Sequence, residues 1–133
     1  MNKKQIILDT NFLILPGQFK VDIFDEIEKV LGFHYELIVP EVVVEELKKL
    51  AKTNKKDAVH SKVALKLIEK NKIKIIKSKE TYADKEIIRL VSSDNFIVAT
   101  QDYALKRELR KKNVPLIFLR GKQHLILHGL DNF

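Results

Sequence analysis

The stretch Gln5-Ile6-Ile7-Leu8-Asp9 places an acidic residue directly after a short apolar run. The same pattern returns in Phe96-Ile97-Val98-Ala99-Thr100-Gln101-Asp102, where a second apolar run leads to a second acid. Short runs rich in Ile, Val and Leu are typical of strands that are buried on both faces of a sheet. A carboxylate at the end of a buried strand is unfavourable unless a cation meets it. The two stretches therefore predict buried strands that end in functional acids, and a carboxylate cluster that holds a divalent metal is the simplest function for them.

Apolar runs of this kind alternate along the chain with longer segments of helical periodicity. We predict strands at residues 5–8, 37–39, 73–76, 96–99 and 116–119. We predict helices at residues 21–31, 41–51, 57–70, 82–92 and 102–112. This alternation predicts an α/β fold with a mainly parallel sheet and helices on both faces. The length of 133 residues predicts one domain, residues 1–133.

Asp9 and Asp102 lie at the carboxyl ends of two predicted strands. In open parallel sheets, ligands bind beyond the carboxyl ends of strands, at the point where the strand order reverses. If the two strands are neighbours at that point, both carboxylates enter one crevice. Asp102 also has a structural alternative, because an acid at this position can cap the helix that follows it.

Glu46 is distinguished from its neighbour Glu45 by helical phase. The apolar stripe of the second predicted helix consists of Val43, Leu47 and Leu50. At about 100° per residue, Glu46 borders this stripe and Glu45 lies nearly opposite it. Glu46 is therefore predicted to face a cleft and Glu45 to face solvent, with an ordinary surface position as the alternative for Glu46.

Asp84 has three apolar neighbours at helical spacing, namely Ile87, Ile88 and Val91. Since residues three, four and seven positions apart share a helix face, Asp84 is predicted to face inward. Lys85 and Glu86 are off this face and are predicted to face solvent. The alternative for Asp84 is a structural role, the stabilisation of a helix N-terminus.

Basic residues are concentrated in one segment of the chain. The net charge is +7, and residues 48–79 contain twelve lysines against two acids. The remainder has 13 basic and 16 acidic residues. A second basic cluster follows Asp102 and consists of Lys106, Arg107, Arg110, Lys111 and Lys112. Clustered Lys and Arg predict a polyanionic partner, with a merely solvated Lys-rich surface as the alternative.

Composition and spacing argue against several other classes of site. The chain has no Cys, which excludes disulfides, thiolate zinc sites and a Cys nucleophile, and which fits a reducing cytoplasm. Its four Gly are too widely separated for a Gly-rich phosphate-binding loop. His124 and His128 have the i, i+4 spacing of a zinc pair on a helix, but a helix so close to Gly129 is not expected. No apolar run is long enough for a membrane span or a signal sequence.

Four stretches together resemble the PIN-domain ribonucleases and stand in the order typical of that family. They are Ile7-Leu8-Asp9-Thr10-Asn11, Val39-Pro40-Glu41-Val42-Val43-Val44-Glu45-Glu46-Leu47, Tyr82-Ala83-Asp84 and Ile97-Val98-Ala99-Thr100-Gln101-Asp102. The branch that processes ribosomal RNA precursors in archaea and eukaryotes is most similar at Thr81-Tyr82-Ala83-Asp84, Lys106-Arg107 and Leu119-Arg120-Gly121-Lys122. One departure is Lys85, which stands where that branch often has a second Asp. A single acid at this point is common among the toxin-type members.

The resemblance implies a three-layer α/β/α fold with a five-stranded sheet of order 3-2-1-4-5, in which the first and fourth strands are adjacent. It also implies a Mg²⁺- or Mn²⁺-dependent endoribonuclease that hydrolyses phosphodiesters and leaves 5′-phosphate and 3′-hydroxyl ends. The catalytic residues that it implies are Asp9, Glu46, Asp84 and Asp102.

The chemistry of a divalent metal site suggests how the four acids divide the work between direct ligation and the outer shell. Mg²⁺ prefers carboxylate oxygens and keeps several waters, which leaves room for a phosphate. Asp9 and Asp102 are predicted to ligate the metal directly, and Asp84 to ligate it directly or through water. Glu46 is predicted to orient the attacking water or to complete the outer shell. The predicted substrate contacts are Asn11, Thr100, Lys55, Lys56, Lys106 and Arg107. For Asn11, the alternative is that it caps the turn after the strand.

Two alternatives to a nuclease of ribosomal RNA processing stay open, and the sequence argues against a third. A ribonuclease toxin of a toxin–antitoxin pair has the same site, and a non-catalytic RNA-binding assembly module has the same fold. A phosphoacceptor signalling domain needs an acceptor Asp after the third strand, where this chain has Lys77-Ser78-Lys79. The expected partners are RNA, first of all a ribosomal RNA precursor, and either a ribosome-assembly protein or an antitoxin. A homodimer is allowed, and no membrane partner is expected.

Overall fold

The computed structural model describes residues 3–32 and 34–129. Within these residues the centre of the fold is one six-stranded sheet with the order β3-β2-β1-β4-β5-β6. Its strands are β1 (Lys4–Leu8), β2 (Tyr35–Pro40), β3 (Lys74–Ile76), β4 (Phe96–Ala99), β5 (Leu116–Arg120) and β6 (His124–His128). The first five are the predicted strands, they run parallel, and their order is the predicted one.

The sixth strand, β6, is absent from the sequence prediction. It pairs antiparallel with β5, with Arg120 opposite His124. The chain reverses through Gly121 and Lys122, whose φ angles are 67° and 64°. A lysine in the left-handed region is uncommon, so the sequence carries only Gly121 as a signal for this turn. Because His124 and His128 lie on a strand, they do not form the helical zinc pair that their spacing allowed.

The helices of the described residues are α1 (Thr10–Leu13), α2 (Leu15–Phe19), α3 (Ile23–Val30), α4 (Glu41–Ala51), α5 (Asp57–Lys70), α6 (Ala83–Val91) and α7 (Tyr103–Lys111). The prediction is confirmed for α3 to α7, whose bounds differ from it by at most two residues. It misses α1 and α2, which have four and five residues. Helices this short depend on tertiary packing rather than on a periodic pattern, and Pro16 and Gly17 of α2 disfavour a helix prediction. In the part of the chain that the structure describes, no helix has the length and hydrophobicity that crossing a bilayer requires.

Helices cover both faces of the sheet, which produces the predicted three layers. In β1, Ile6 and Leu8 point to one face and Ile7 to the other, and all three are fully buried. The first face packs against α1 to α5, for example through Phe12. The second packs against α6 and α7, for example through Leu109. Because β1 is buried on both faces, its apolar run is continuous instead of alternating.

The strand order reverses between β1 and β4, the two strands that lead to acids. β1 pairs with β2 on one side and with β4 on the other, where Leu8 is opposite Ala99. The backbone N of Asp9 continues the pairing by donating to the carbonyl oxygen of Ala99 at 3.0 Å. Asp9 and the segment that leads to Asp102 therefore leave the sheet side by side at its carboxyl edge, where ligands of such sheets bind.

Candidate active site

Asp9 is the buried acid of the site, with 5% of its surface exposed. It is the N-cap of α1, where its Oδ1 accepts a hydrogen bond from the backbone N of Thr10 at 2.8 Å. Its Oδ2 accepts a hydrogen bond from the hydroxyl of Thr100 at 2.7 Å. Neither donor carries a charge, so the ionised carboxylate is hydrogen-bonded but not neutralised.

This environment raises the pKa of Asp9 from 3.8 to about 6. Burial is the main cause, and the negative charges of Glu46 and Asp102 act in the same direction. The hydrogen bonds from Thr100 and Thr10 oppose the increase. At neutral pH the carboxylate is therefore ionised in an unfavourable environment, and a cation beside it would stabilise the charged form.

Thr100 links the two acids that follow strands. Its hydroxyl donates to Asp9 and accepts from the backbone N of Asp102 at 3.1 Å. Thr100 is fully buried, and its hydroxyl positions Asp9 and Asp102; the substrate contact predicted for it stays a prediction. Asn11 is half-buried, and its Oδ1 accepts from the backbone N of Gln101 at 2.8 Å. Asn11 thus holds the segment before Asp102, and its contact with a phosphate stays a prediction.

One cavity of about 330 Å³, termed the acidic cavity, brings the four predicted acids together. Its acidic lining consists of Asp9, Glu46, Asp57, Asp84 and Asp102. Tyr82 and Ala83 also line it. Asp57, at the start of α5, is the acid that sequence reasoning missed. Its position in the first turn of a helix is common for acids of no other function, so no signal in the sequence singles it out.

Asp102 and Asp84 each combine a structural contact with an available oxygen. Asp102 caps α7, as its structural alternative allowed, and its Oδ1 accepts from the backbone N of Leu105 at 3.0 Å. Asp84 lies in the first turn of α6, and its Oδ1 accepts from the backbone N of Lys85 at 2.9 Å. No hydrogen bond within residues 3–32 and 34–129 engages the Oδ2 of either acid. Both therefore keep one oxygen that can bind a cation.

Glu46 lines the acidic cavity and Glu45 is exposed, which confirms the helical phase predicted for α4. Both carboxylate oxygens of Glu46 are engaged by the protein. Oε1 accepts from the hydroxyl of Thr10 at 2.8 Å, and Oε2 accepts from the backbone N of Ala83 at 3.2 Å. Glu46 thus joins the first turn of α1 to the first turn of α6. With its oxygens occupied in this way, Glu46 fits an outer-shell role better than direct ligation.

The phase predicted for α6 is wrong at Glu86, which is fully buried. Its Oε1 accepts from the backbone N of Lys79 and of Glu80, both at 3.1 Å. Arg89 donates to the two carboxylate oxygens at 2.9 and 2.7 Å, and this pairing holds the pKa of Glu86 below its ordinary value. The prediction considered only the apolar stripe of α6, whereas the loop before the helix folds over the polar side of its first turn.

The inward orientation predicted for Asp84 is also corrected, because Asp84 is exposed. The buried face of α6 consists of Ala83, Glu86, Ile87 and Leu90. Asp84 lies at the edge of this face, where it lines the acidic cavity and still contacts solvent. Its carboxylate therefore stays hydrated, unlike that of Asp9.

The residues of the acidic cavity fit a hard divalent cation, because carboxylate oxygens are the ligands that Mg²⁺ and Mn²⁺ prefer. Among the described residues, however, no three acidic or histidine side chains are close enough to form a preassembled metal centre. Mg²⁺ is usually held by one or two carboxylates together with waters and substrate phosphates. Asp9 with one neighbouring carboxylate would match that number of protein ligands, and joint ligation by Asp9, Asp84 and Asp102 stays a prediction.

The four basic residues predicted to contact substrate lie beside residues of the acidic cavity. Lys55 and Lys56 are exposed and directly precede Asp57. Lys106 and Arg107 lie one helical turn beyond the cap of α7. Arg107 is exposed, whereas Lys106 is half-buried. These positions allow contact with a substrate in the acidic cavity, and the contact itself stays a prediction.

Known proteins share this sequence pattern and fold. A family model described as a PIN like domain matches residues 6–122. Ribonuclease VapC4 of Methanocaldococcus jannaschii is 32% identical over 128 residues, which cover 95% of this chain and 98% of that protein. The rRNA-processing protein FCF1 of Saccharomyces cerevisiae is 32% identical over 126 residues, 92% of this chain and 63% of that protein. The structure of the PIN domain endonuclease Utp24 matches with a TM-score of 0.80 at 25% identity and covers 95% of this chain and 92% of that chain.

We expect Asp9→Asn to raise the stability of the protein in the absence of divalent cations at neutral pH. Because the pKa of Asp9 is raised in the folded chain, the folded state binds more protons than the unfolded state between pH 3.8 and about 6. The ionisation of Asp9 therefore lowers the free energy of unfolding by roughly 3 kcal/mol as the pH rises through this window. Urea unfolding in EDTA near pH 4 and near pH 7.5 measures the effect. If the free energy of unfolding of Asp9→Asn exceeded that of the wild type by the same amount at both pH values, the raised pKa of Asp9 would be contradicted.

We expect Glu86→Gln to destabilise the protein by about 2 kcal/mol. The amide removes the negative charge that Arg89 faces, and its nitrogen cannot accept the hydrogen bonds that the carboxylate accepts. Glu45→Gln, the same substitution at an exposed position, should change the free energy of unfolding by less than about 0.5 kcal/mol. Urea unfolding of both variants checks this difference. Equal stability of the two would show that the contacts of Glu86 contribute nothing.

Proposed function

Since this chain belongs to the PIN-like domain family, we propose that it is an endoribonuclease that hydrolyses RNA phosphodiesters with the help of Mg²⁺ or Mn²⁺. The observation that most supports this function is the buried, uncompensated carboxylate of Asp9 beside Glu46, Asp84 and Asp102 in the acidic cavity. Carboxylates grouped around one cavity repel one another and a phosphate alike. Such a group suits a polyanionic substrate only together with a divalent cation.

Asp9, Asp84 and Asp102 are the residues that would hold the cation. Asp84 and Asp102 each keep one oxygen outside the hydrogen bonds of the described residues. Each oxygen of Asp9 accepts one hydrogen bond and keeps a further lone pair, and no cation among the described residues compensates its charge. Thr100 fixes Asp9 relative to the segment of Asp102. Glu46 holds α1 against α6 and is the residue proposed to orient the attacking water. The chemistry that a divalent cation supplies in such a site is charge neutralisation on the phosphate and a lower pKa of a bound water.

The substrate that we propose is a ribosomal RNA precursor. The likeness to the yeast rRNA-processing protein FCF1 and to the PIN domain endonuclease Utp24 supports this substrate. A ribosome-assembly protein is the kind of partner that fits this role. The chain spans 63% of the yeast protein, so its likeness concerns the nuclease domain and not every part of that protein.

A ribonuclease toxin of a toxin–antitoxin pair is the second candidate, and one observation favours it. This chain corresponds to Ribonuclease VapC4 over 98% of the length of that protein. An antitoxin would then be the partner protein. A small antitoxin gene beside the gene of this protein would favour the toxin, whereas cleavage at defined positions of a ribosomal RNA precursor would favour the processing nuclease.

Cleavage of RNA in the presence of Mn²⁺ is the direct test of the activity. We expect the wild-type chain to cut structured or single-stranded RNA with Mn²⁺ or Mg²⁺ and to be inactive in EDTA. Asp9→Asn should lower the rate by about 100-fold or more, since a catalytic metal contributes several kcal/mol to transition-state stabilisation. It should also remove most of the increase in melting temperature that Mn²⁺ causes in the wild-type protein. Cleavage that persists in EDTA would contradict the metal dependence, and equal Mn²⁺ binding by both proteins in calorimetry would place the metal elsewhere.

We expect Glu46→Gln and Asp84→Asn to lower the cleavage rate by about 10- to 100-fold, the usual effect of residues that support a metal site. Glu45→Gln is the matched control for Glu46→Gln, because it makes the same change on the exposed side of α4. Its rate should stay within about twofold of wild type. If Glu45→Gln impaired cleavage as much as Glu46→Gln, the placement of Glu46 at the reacting groups would be wrong.

A further inference from the structure

Three basic side chains gather on the ring of Phe118, a residue of β5 that is only 6% exposed. Lys106 Nζ lies 4.5 Å from the ring centroid. The guanidinium carbons of Arg120 and Arg110 lie 5.6 and 5.9 Å from the same centroid. Lys106 and Arg110 belong to α7 and Arg120 ends β5, so the tertiary structure creates this cation cluster (Lys106, Arg110 and Arg120).

The cation cluster lacks the acids that pair with other basic residues. On the same helix, Lys111 lies 3.6 Å from Glu108. Within residues 3–32 and 34–129, no ion pair involves Lys106, Arg110 or Arg120. Burial lowers the pKa of Lys106, and the charges of Arg110 and Arg120 lower it further. The ring offsets part of the repulsion by cation–π attraction, but an external anion would stabilise the cluster more fully.

The cation cluster reaches the same edge of the sheet as the acidic cavity. β4 and β5 run parallel, with Ala99 opposite Ile117. Asp102 follows Ala99 by three residues, and Arg120 follows Ile117 by three residues. Asp102 and Arg120 therefore both stand at the carboxyl edge, on neighbouring segments. An anion that binds Arg120 and Lys106 is thus placed next to a substrate in the acidic cavity.

Tyr103 adds an aromatic surface to the same region. It directly follows Asp102 and is 69% exposed. It precedes Lys106 by three residues on α7, so the two side chains share one face of the helix. Proteins that bind single-stranded nucleic acid combine cations that follow the backbone with exposed aromatic rings on which bases stack. The pairing of Tyr103 with the cation cluster has this composition.

We propose that the cation cluster binds backbone phosphates of an unpaired RNA strand where it leaves the acidic cavity past Asp102, and that Tyr103 stacks on a base of the same segment. This inference rests on the ribonuclease function proposed above and adds to it the path of the substrate strand and the residues that hold it. A duplex keeps its bases stacked on one another and would not use Tyr103. An acidic protein segment would neutralise the cations, but it would leave the exposed ring of Tyr103 without a base to stack on.

The test measures the affinity of the full chain for a single-stranded RNA of about 12 nucleotides in EDTA, so that binding is separated from cleavage. We expect Lys106→Ala/Arg120→Ala to weaken binding by about tenfold or more. The slope of log affinity against log salt should fall by about 0.7 for each phosphate that the variant no longer neutralises. The matched control is Lys3→Ala/Lys29→Ala, which removes two exposed charges outside both basic clusters, one just before β1 and one in the last turn of α3. Its affinity should stay within about threefold of wild type.

Three further variants keep the test decisive. Lys106→Arg/Arg120→Lys retains both charges and should bind within about threefold of wild type, even if the alanine pair were to fold poorly. Tyr103→Ala should weaken binding to single-stranded RNA by about fivefold or more and leave duplex affinity unchanged, whereas Tyr103→Phe should bind single strands as wild type does.

The possible outcomes separate this inference from the proposed function. If the wild type cleaves RNA with Mn²⁺ while Lys106→Ala/Arg120→Ala binds RNA as tightly as the Lys3→Ala/Lys29→Ala control, the inference is overturned and the nuclease function stands. If the wild type neither binds nor cleaves any RNA, both are overturned. If the alanine pair loses affinity for poly-glutamate but not for RNA, the cation cluster is a docking site for an acidic protein segment and the inference is again overturned.

Discussion

The buried carboxylate of Asp9 is the constraint on which the rest of the site depends. β1 lies in the middle of the parallel strands, so an acid at its end is removed from water on both faces of the sheet. Neutral donors from Thr10 and Thr100 hold its oxygens, and its pKa rises to about 6 because burial outweighs those hydrogen bonds. β4 ends and α1 and α6 begin around this one group, and α4 passes it with Glu46. Their arrangement is understandable as the support of a charge that only a cation can compensate.

Asp9 and Glu86 are both buried carboxylates, but their partners and the directions of their pKa shifts differ. Glu86 has Arg89 as a partner and two backbone N–H donors, and its pKa is lowered. Its charge is satisfied within the protein, which suits a residue that fastens the loop before α6. Asp9 has no cation among the described residues, and its pKa is raised. The direction of the pKa shift thus separates an acid whose charge is satisfied within the described protein from one whose charge is not.

Basic residues flank the acidic cavity and complement its negative charge. The acidic cavity repels a phosphate, so the affinity for RNA has to come from cations that flank it. Lys55 and Lys56 precede one of its acids, and the cation cluster stands beside another. In the proposed function, a polyanion held on such flanks meets a divalent cation at the centre. Binding of the strand and binding of the metal are therefore expected to support each other, since substrate phosphates complete the coordination of a metal held by few carboxylates.

Local pattern alone determined the strands β1 to β5, the helices α3 to α7, and Asp9 and Asp102 as acids at the carboxyl edge. An apolar run or a helical stripe is a property of neighbouring residues, so the sequence displays it directly. Only the tertiary structure decided the burial of Glu86, the positioning role of Thr100, the place of Asp57 in the acidic cavity and the assembly of the cation cluster. In each case the decisive partner comes from elsewhere in the chain, as with the hydroxyl of Thr100 on Asp9 across 91 positions. Helical phase gives the orientation of a residue only relative to its own helix. It does not predict contacts with a loop, a strand or a ring that another segment of the chain brings over that residue.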